Sequence, residues 1–125
     1  MSEQPMVILL AHGSSDPKWC ETFEKLAAPT IAAVPGSVVA YMELAEPSME
    51  SIVTNAVEQG CHNFTIMPLF LAVGRHLRKD VPEMISVMEK THKVKISLAP
   101  PIGENPQLGL AIREVVEQTL NSSRP

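Results

Sequence analysis

Basic residues are scarce in this 125-residue chain: ten Lys and Arg stand against 14 Asp and Glu, for a formal charge of -4. Aromatic residues are scarcer still, being Trp19, Phe23, Tyr41, Phe64 and Phe70. A nucleic-acid surface needs clustered positive charge and stacking rings, so the composition argues against general RNA or DNA binding. Long apolar runs are missing as well. The longest, residues 6–11 and 66–73, are strand-sized, whereas a membrane span needs about 20 apolar residues; no membrane partner is expected. The two cysteines, Cys20 and Cys61, form no C-x-x-C pair, which argues against a zinc ribbon or a cysteine-ligated iron–sulfur cluster. Residues 1–5 carry Glu3 and no basic cluster, so the expected setting is the cytoplasm, with both thiols free.

What is present is apolar and evenly distributed: 45% of residues are hydrophobic and no linker, repeat or low-complexity stretch interrupts them. A chain of this length buries roughly two thirds of its unfolded surface. One domain over residues 1–120 is therefore expected, followed by a loose tail at 121–125.

Within it, apolar runs and amphipathic stretches alternate. Residues 6–11 are apolar on both faces, as in a central parallel strand. Residues 17–34 have helical spacing, with Trp19, Phe23, Leu26 and Ala27 as the stripe, and Pro35-Gly36 ends them. Residues 37–43 read as a second strand. Pro47 suits the first turn of a second helix, which carries Met49, Ile52, Val53, Ala56 and Val57 inward and ends at Gly60. Residues 63–73 are a third, fully apolar strand. A third helix covers 77–90, with Val81, Met84, Ile85 and Met88 inward. Residues 94–99 form a fourth strand, and 105–120 a last helix with Leu108, Ala111, Ile112, Val115 and Val116 inward. This β-α alternation predicts an α/β fold: one doubly wound, four-stranded parallel sheet, flavodoxin-like, of strand order 2-1-3-4.

In such a sheet, ligands bind beyond the strand carboxyl ends where the order reverses, here between strands one and three. His12-Gly13-Ser14 leaves strand one. Gly74-Arg75-His76 leaves strand three. Glu43, with Glu46 after it, leaves strand two beside them. Two imidazoles and one or two carboxylates thus converge from distant segments. One His at a strand end is ordinarily a loop residue bonded to backbone; both lying beside Gly at the switch point favours function. Imidazole is the commonest ligand for borderline divalent metals, and two His with open positions suit a metal that is delivered onward. Arg75, Arg78 and Lys79 are the only dense basic cluster and flank His76. Such a cluster is usually a solvated face, but at this mouth it would hold a polyanion. Ser14, Ser15 and Asp16 suit capping of the first helix. His62 and His92 fall at the opposite edge of the sheet, as surface residues.

Three segments in order, His12-Gly13-Ser14, the stretch from Tyr41-Met42-Glu43 to Glu46-Pro47, and the stretch from Pro68-Leu69-Phe70 to Gly74-Arg75-His76 with Asp80-Val81-Pro82, resemble the sirohydrochlorin chelatases. These are the small, CbiX-like class II chelatases of cobalamin and siroheme synthesis. The resemblance spans residues 6–120. It implies insertion of a divalent metal (Co2+ foremost, or Fe2+ or Ni2+) into the tetrapyrrole sirohydrochlorin, without nucleotide hydrolysis. It implies His12 and His76 as metal ligands, Glu43 as the acidic residue assisting them, Glu46 as a helper, and a homodimer. Ser15 stands where many relatives carry Arg, and no His-rich tail follows Leu120. Metallation releases two ring N–H protons, which neutral imidazole or Glu43 would accept. The substrate carboxylates would meet Arg75, Arg78, Lys79 and Ser14, and the ring would rest on Met42, Leu44, Phe70 and Leu71, unless these four are ordinary core.

Two rival functions share some of these residues. A non-catalytic metal carrier or tetrapyrrole-binding module would use the same ligands without turnover. Phosphoryl transfer on His12 would want an Arg before it, where Ala11 stands. A serine hydrolase would want a G-x-S-x-G elbow, which is absent.

Overall fold

The computed structural model describes residues 4–122, with His76 placed by its backbone only. The chain runs β1 (Met6–Ala11), α1 (Pro17–Ala33), β2 (Ser37–Tyr41), α2 (Met49–Glu58), β3 (Asn63–Pro68), α3 (Arg75–His92), β4 (Lys95–Leu98), a 3-10 turn (Ile102–Glu104) and α4 (Pro106–Ser122). The four strands form one parallel sheet of order β2-β1-β3-β4. This is the expected doubly wound arrangement. Central β1 is paired on both sides, so its apolar backbone run is fully bonded.

Successive side chains of a strand point to opposite faces. One face of the sheet carries Ile8, Leu10, Ala40, Phe64, Ile66 and Ile96, all buried. Against it pack Met49, Val53 and Ala56 of α2 and Val81, Ile85 and Met88 of α3, closing one apolar core. Each large side chain buried there contributes about 1.5–3 kcal/mol. Met84, expected inward, is 36% exposed, because it lies to one side of the stripe that Val81, Ile85 and Met88 define.

The other face is only half covered. Ala27 of α1 is buried, but Leu26, expected in the same stripe, is 69% exposed. Along β3 burial alternates strictly, with Phe64, Ile66 and Pro68 buried and Asn63, Thr65 and Met67 half-buried. A strand expected to be covered on both faces is thus covered on one. The reason lies in α4. Leu108 is half-buried, but Ala111, Ile112, Val115 and Val116, all expected inward, are exposed. The helix packs closely only on the 3-10 turn before it. It also continues through Asn121 and Ser122, expected in the tail; residues 123–125 lie outside the described residues.

Element ends differ from the sequence pattern where polar groups intervene. α2 begins at Met49 rather than at Pro47, because the Ser48 hydroxyl accepts the Ser51 N–H and makes Ser48 the N-cap. Gly60 follows the helix with φ 91, the left-handed turn expected of it. β2 stops at Tyr41 and β3 at Pro68, which cannot donate to a ladder. α3 begins two residues early, at Arg75. Both cysteines are free, as expected, and half-buried; Cys61 lies in the connection after α2.

Candidate active site

The strand order reverses between β1 and β3, and the three connections leaving β1, β2 and β3 meet there. β1 ends at Ala11, and His12 follows, exposed. The chain turns at Gly13 with φ 99, a backbone region that L side chains rarely adopt. A Cβ there would also run into the backbone carbonyl of Glu43. The loop after β1 therefore lies directly on the loop after β2. Two hydrogen bonds extend the strand pairing into these loops. The Met42 N–H donates to the Ala11 carbonyl at 2.9 Å, and the Glu43 N–H to the His12 carbonyl at 3.1 Å. Glu43 is held beside His12 with its side chain in solvent. Leu44 follows at φ 63, a left-handed conformation uncommon for leucine, and is 68% exposed.

Phe70 ties the third connection to the first. It is 2% exposed, and the His12 ring lies over it with centroids 4.3 Å apart and planes tilted by 35°. The Phe70 carbonyl accepts the Gly103 N–H at 3.0 Å. Gly103 has no room for a Cβ beside the Leu71 carbonyl, so the turn after β4 seals this loop from beneath. Of the four residues considered as a ring-binding wall, Phe70 belongs to the core, Met42 packs against it, and Leu44 and Leu71 are exposed.

The third connection ends in an unusual helix start. Gly74 is the N-cap of α3 and has no side chain to satisfy the first-turn N–H groups. Arg75 and His76, expected in the loop, are the first two residues of the helix, and Arg78 and Lys79 follow within the next turn. No acidic residue occupies that first turn. Cations at the positive end of a helix dipole are unfavourable by roughly 0.3–1 kcal/mol each. Among the described residues the ion pairs are Lys25–Glu21 and Arg113–Glu117, so the cluster has no carboxylate to offset this. Arg78 leans on the loop, its Nε donating to the Val73 carbonyl at 3.4 Å. It also rims a cavity of about 350 Å3 lined by Phe70, Val73, Leu98 and Pro101.

The remaining candidates have local partners. Asp16 is the N-cap of α1, its carboxylate accepting the Lys18 N–H at 3.0 Å. Ser14, expected as a cap, instead accepts the Asp16 N–H at 3.0 Å, one step before the helix. Glu46 accepts the Ser48 N–H at 3.2 Å, at the start of α2. His62 and His92 lie at the opposite edge, His92 3.5 Å from the Thr54 hydroxyl. Tyr41 was not singled out by its sequence position. Buried under α1, it points its hydroxyl to the Cys20 carbonyl at 3.5 Å. Burial first, then the nearby Glu24 and Cys20, push its phenol up to about 12. Among the described residues no three His, Cys, Asp or Glu side chains gather into a metal cage.

Known proteins share this fold. The CbiX family model matches residues 6–119. A sirohydrochlorin cobaltochelatase of Sulfolobus acidocaldarius is 28% identical over 115 residues, covering 92% of each chain. A protein of the same name from Saccharolobus solfataricus is 24% identical over 124 residues, 94% of this chain and 97% of the other. A crystal structure described as a CbiX protein of cobalamin biosynthesis from Marinobacter aquaeolei superposes with a TM-score of 0.91 at 62% identity, over 94% of this chain and 98% of that one. SirB from Bacillus subtilis, solved with Fe3+, matches at 0.73 and 25% identity over 95% of this chain but 47% of its own.

Proposed function

The chain belongs to the CbiX family, and we propose that it is a sirohydrochlorin chelatase, inserting a divalent metal, cobalt foremost, into the tetrapyrrole ring. One observation carries this reading: at the switch point the loop holding His12 is hydrogen-bonded to the loop holding Glu43, and the His12 ring rests on Phe70, in the connection that leads to the exposed cations at the start of α3. The metal, whether Co2+, Fe2+ or Ni2+, is substrate. All three accept imidazole and carboxylate, so the donor set does not choose among them.

His12 and His76 hold the incoming ion, and exposed His12 is open to exchange. Its ring is supported by Phe70, so its orientation is fixed before the ion arrives. As the metal enters, two ring N–H protons leave. Glu43, exposed and held beside His12 by its backbone, accepts protons and passes them to solvent. Arg75, Arg78 and Lys79 meet the substrate carboxylates, a role that would offset the cost of three cations at a helix start. Ser14 and Glu46 contribute to the rim through lone pairs left over from their backbone hydrogen bonds. No nucleotide takes part.

The reading includes a second copy of the chain. A single four-stranded domain offers an open shelf, and a partner facing it would supply the second wall. We assign the interface to the neighbourhood of the strand carboxyl ends, around residues 42–49 or 70–73, within a cytoplasmic homodimer. No helix among the described residues is long and apolar enough to cross a membrane.

The test is sirohydrochlorin incubated with Co2+, Fe2+ and Ni2+ separately, followed by absorption. Metallation faster than the protein-free reaction for at least one ion is expected. Stoichiometric binding without acceleration would make the protein a carrier instead.

A further inference from the structure

Beside the His12 ring the fold leaves a cavity of about 350 Å3. That is near the low end of the range for small-ligand sites, ~300–1,000 Å3. Pro68 and Leu98 line it from the carboxyl ends of β3 and β4, Leu77 and Val81 from α3, and Phe70 and Val73 from the connection between β3 and α3. It therefore lies at the same edge of the sheet as His12, next to the switch point.

Phe70 joins the cavity to the metal site. The His12 ring lies over it with centroids 4.3 Å apart, and Phe70 also lines the cavity. Its position is well fixed. It is 2% exposed, its carbonyl accepts the Gly103 N–H at 3.0 Å, and Gly103 is packed against Leu71. A group filling the cavity thus sits at a defined place relative to His12.

The lining is apolar except for two charged residues, Arg78 and Glu104. Both are exposed, so they stand at the mouth. They are not paired with each other; the ion pairs among the described residues lie elsewhere. Arg78 donates its Nε to the Val73 carbonyl at 3.4 Å. That bond ties the guanidinium to the lip of the cavity and leaves its terminal nitrogens for a carboxylate. Glu104 repels an anion, so an acid group entering here is directed to the Arg78 side. Apolar walls with one cationic fork at the lip suit a short aliphatic chain that ends in an acid.

We propose that this cavity receives one acid-bearing edge of sirohydrochlorin: the methylenes of an acetate or propionate arm enter between α3 and β4, and Arg78 binds the carboxylate at the lip. This rests on the chelatase reading above and deepens it, because it turns one member of the basic cluster from a general attraction into the receptor of a particular arm. The whole macrocycle is larger than the cavity, so an edge enters while the ring stays outside. Walls that exclude water from the arm strengthen the Arg78 contact. With Phe70 as the common wall, seating the arm fixes the ring relative to the ligating imidazole, which is how binding at a remote group promotes reaction at the centre.

Substitutions that fill the cavity from the β4 side test this, because they alter neither His12 nor the cations. Ala99→Leu adds bulk just after β4, and Leu98→Trp does so from a position 40% exposed. Circular dichroism checks each fold, and Co2+ titration without substrate checks the metal site; both should match wild type. Metal-free sirohydrochlorin, titrated by its absorption, should bind each filled variant roughly tenfold more weakly or worse, the scale of one lost charge-assisted hydrogen bond. The KM for metallation should rise by a similar factor. Glu104→Gln should bind sirohydrochlorin more tightly than wild type, since a repelling carboxylate is gone. Weaker binding by that variant would mean that the mouth selects a cation, and would overturn the proposal. Filled variants that bind sirohydrochlorin as wild type does would overturn the arm site and leave the chelatase standing. Filled variants that lose Co2+ affinity at unchanged sirohydrochlorin affinity would also overturn it, and reduce the cavity to slack beside Phe70. A wild type that binds sirohydrochlorin but metallates it with no ion would overturn the chelatase reading, while the titration still decides the arm site.

Discussion

The amide of Glu43 donates to the carbonyl of His12 at 3.1 Å, one step beyond the last paired residues of β1 and β2. The residues proposed as base and metal ligand are thus joined through their backbones, which leaves both side chains free for chemistry. Backbone bonds of this kind hold position without consuming side-chain lone pairs, and the predictions for His12, Glu43 and Gly13 use that arrangement.

Replacing His12 or His76 with Ala should each reduce metallation sharply while circular dichroism stays normal. His12 is exposed, and His76 stands in the first turn of α3. Near-normal rates for both single variants, with the fold intact, would refute the metal assignment.

Glu43→Gln keeps the size and the backbone hydrogen bond to His12 and removes only the charge. The rate should fall by ~10²-fold or more, the usual scale for a general base, while metal affinity falls less. A rate unchanged from pH 6 to 9 would remove Glu43 from proton transfer.

Arg75→Ala with Arg78→Ala should weaken sirohydrochlorin binding more at low salt than at high salt, since exposed charges are screened over ~8–10 Å near physiological ionic strength. The same pair of changes should leave thermal stability equal or slightly higher, because two cations leave the positive end of α3. Binding indifferent to both salt and substitution would reduce the cluster to a solvated face.

Gly13→Ala combines a positive φ with a collision against the Glu43 carbonyl. It should cost roughly 1–3 kcal/mol of stability and lower the metallation rate, because the loops carrying His12 and Glu43 must separate. Gly109→Ala, with open space at its Cβ, is the control and should do neither. Thermal melts and rates measured side by side check both.

Tyr41 is the only tyrosine, so tyrosinate absorbance reports on it alone. The folded protein should titrate near 12 rather than at the ordinary value of 10.0. Below pH 10 both folded and unfolded chains keep the phenol protonated and the full stability is present. Between 10 and about 12 the unfolded chain ionises first, so stability falls as pH rises. Tyr41→Phe should flatten that part of the curve, and a midpoint near 10 in the folded state would contradict the burial argument.

Much of this was legible along the chain. The strand order followed from β-α alternation and the handedness of crossovers, because those rules depend on chain connectivity alone. The convergence of the segments holding His12, Glu43 and His76 followed from the switch-point rule, which needs only that order. Other features had no local signal. That Gly13 serves the carbonyl of Glu43, and that Phe70 supports the His12 ring, depends on which loops touch across the sheet edge.

Periodicity marked α4 as amphipathic, and the amphipathic face is there. It identified an apolar stripe but not the surface that receives it, since a hydrophobic pattern states that a face must be buried without stating against what. The sequence by itself determined the sheet, the helices and the three segments of the mouth, because backbone pairing and apolar spacing are properties of the chain. Only the tertiary structure decided that α4 leaves its own sheet face open. Where a helix points after a turn such as Ile102–Glu104 is set by close packing of atoms distant in sequence, here Gly103 against Leu71.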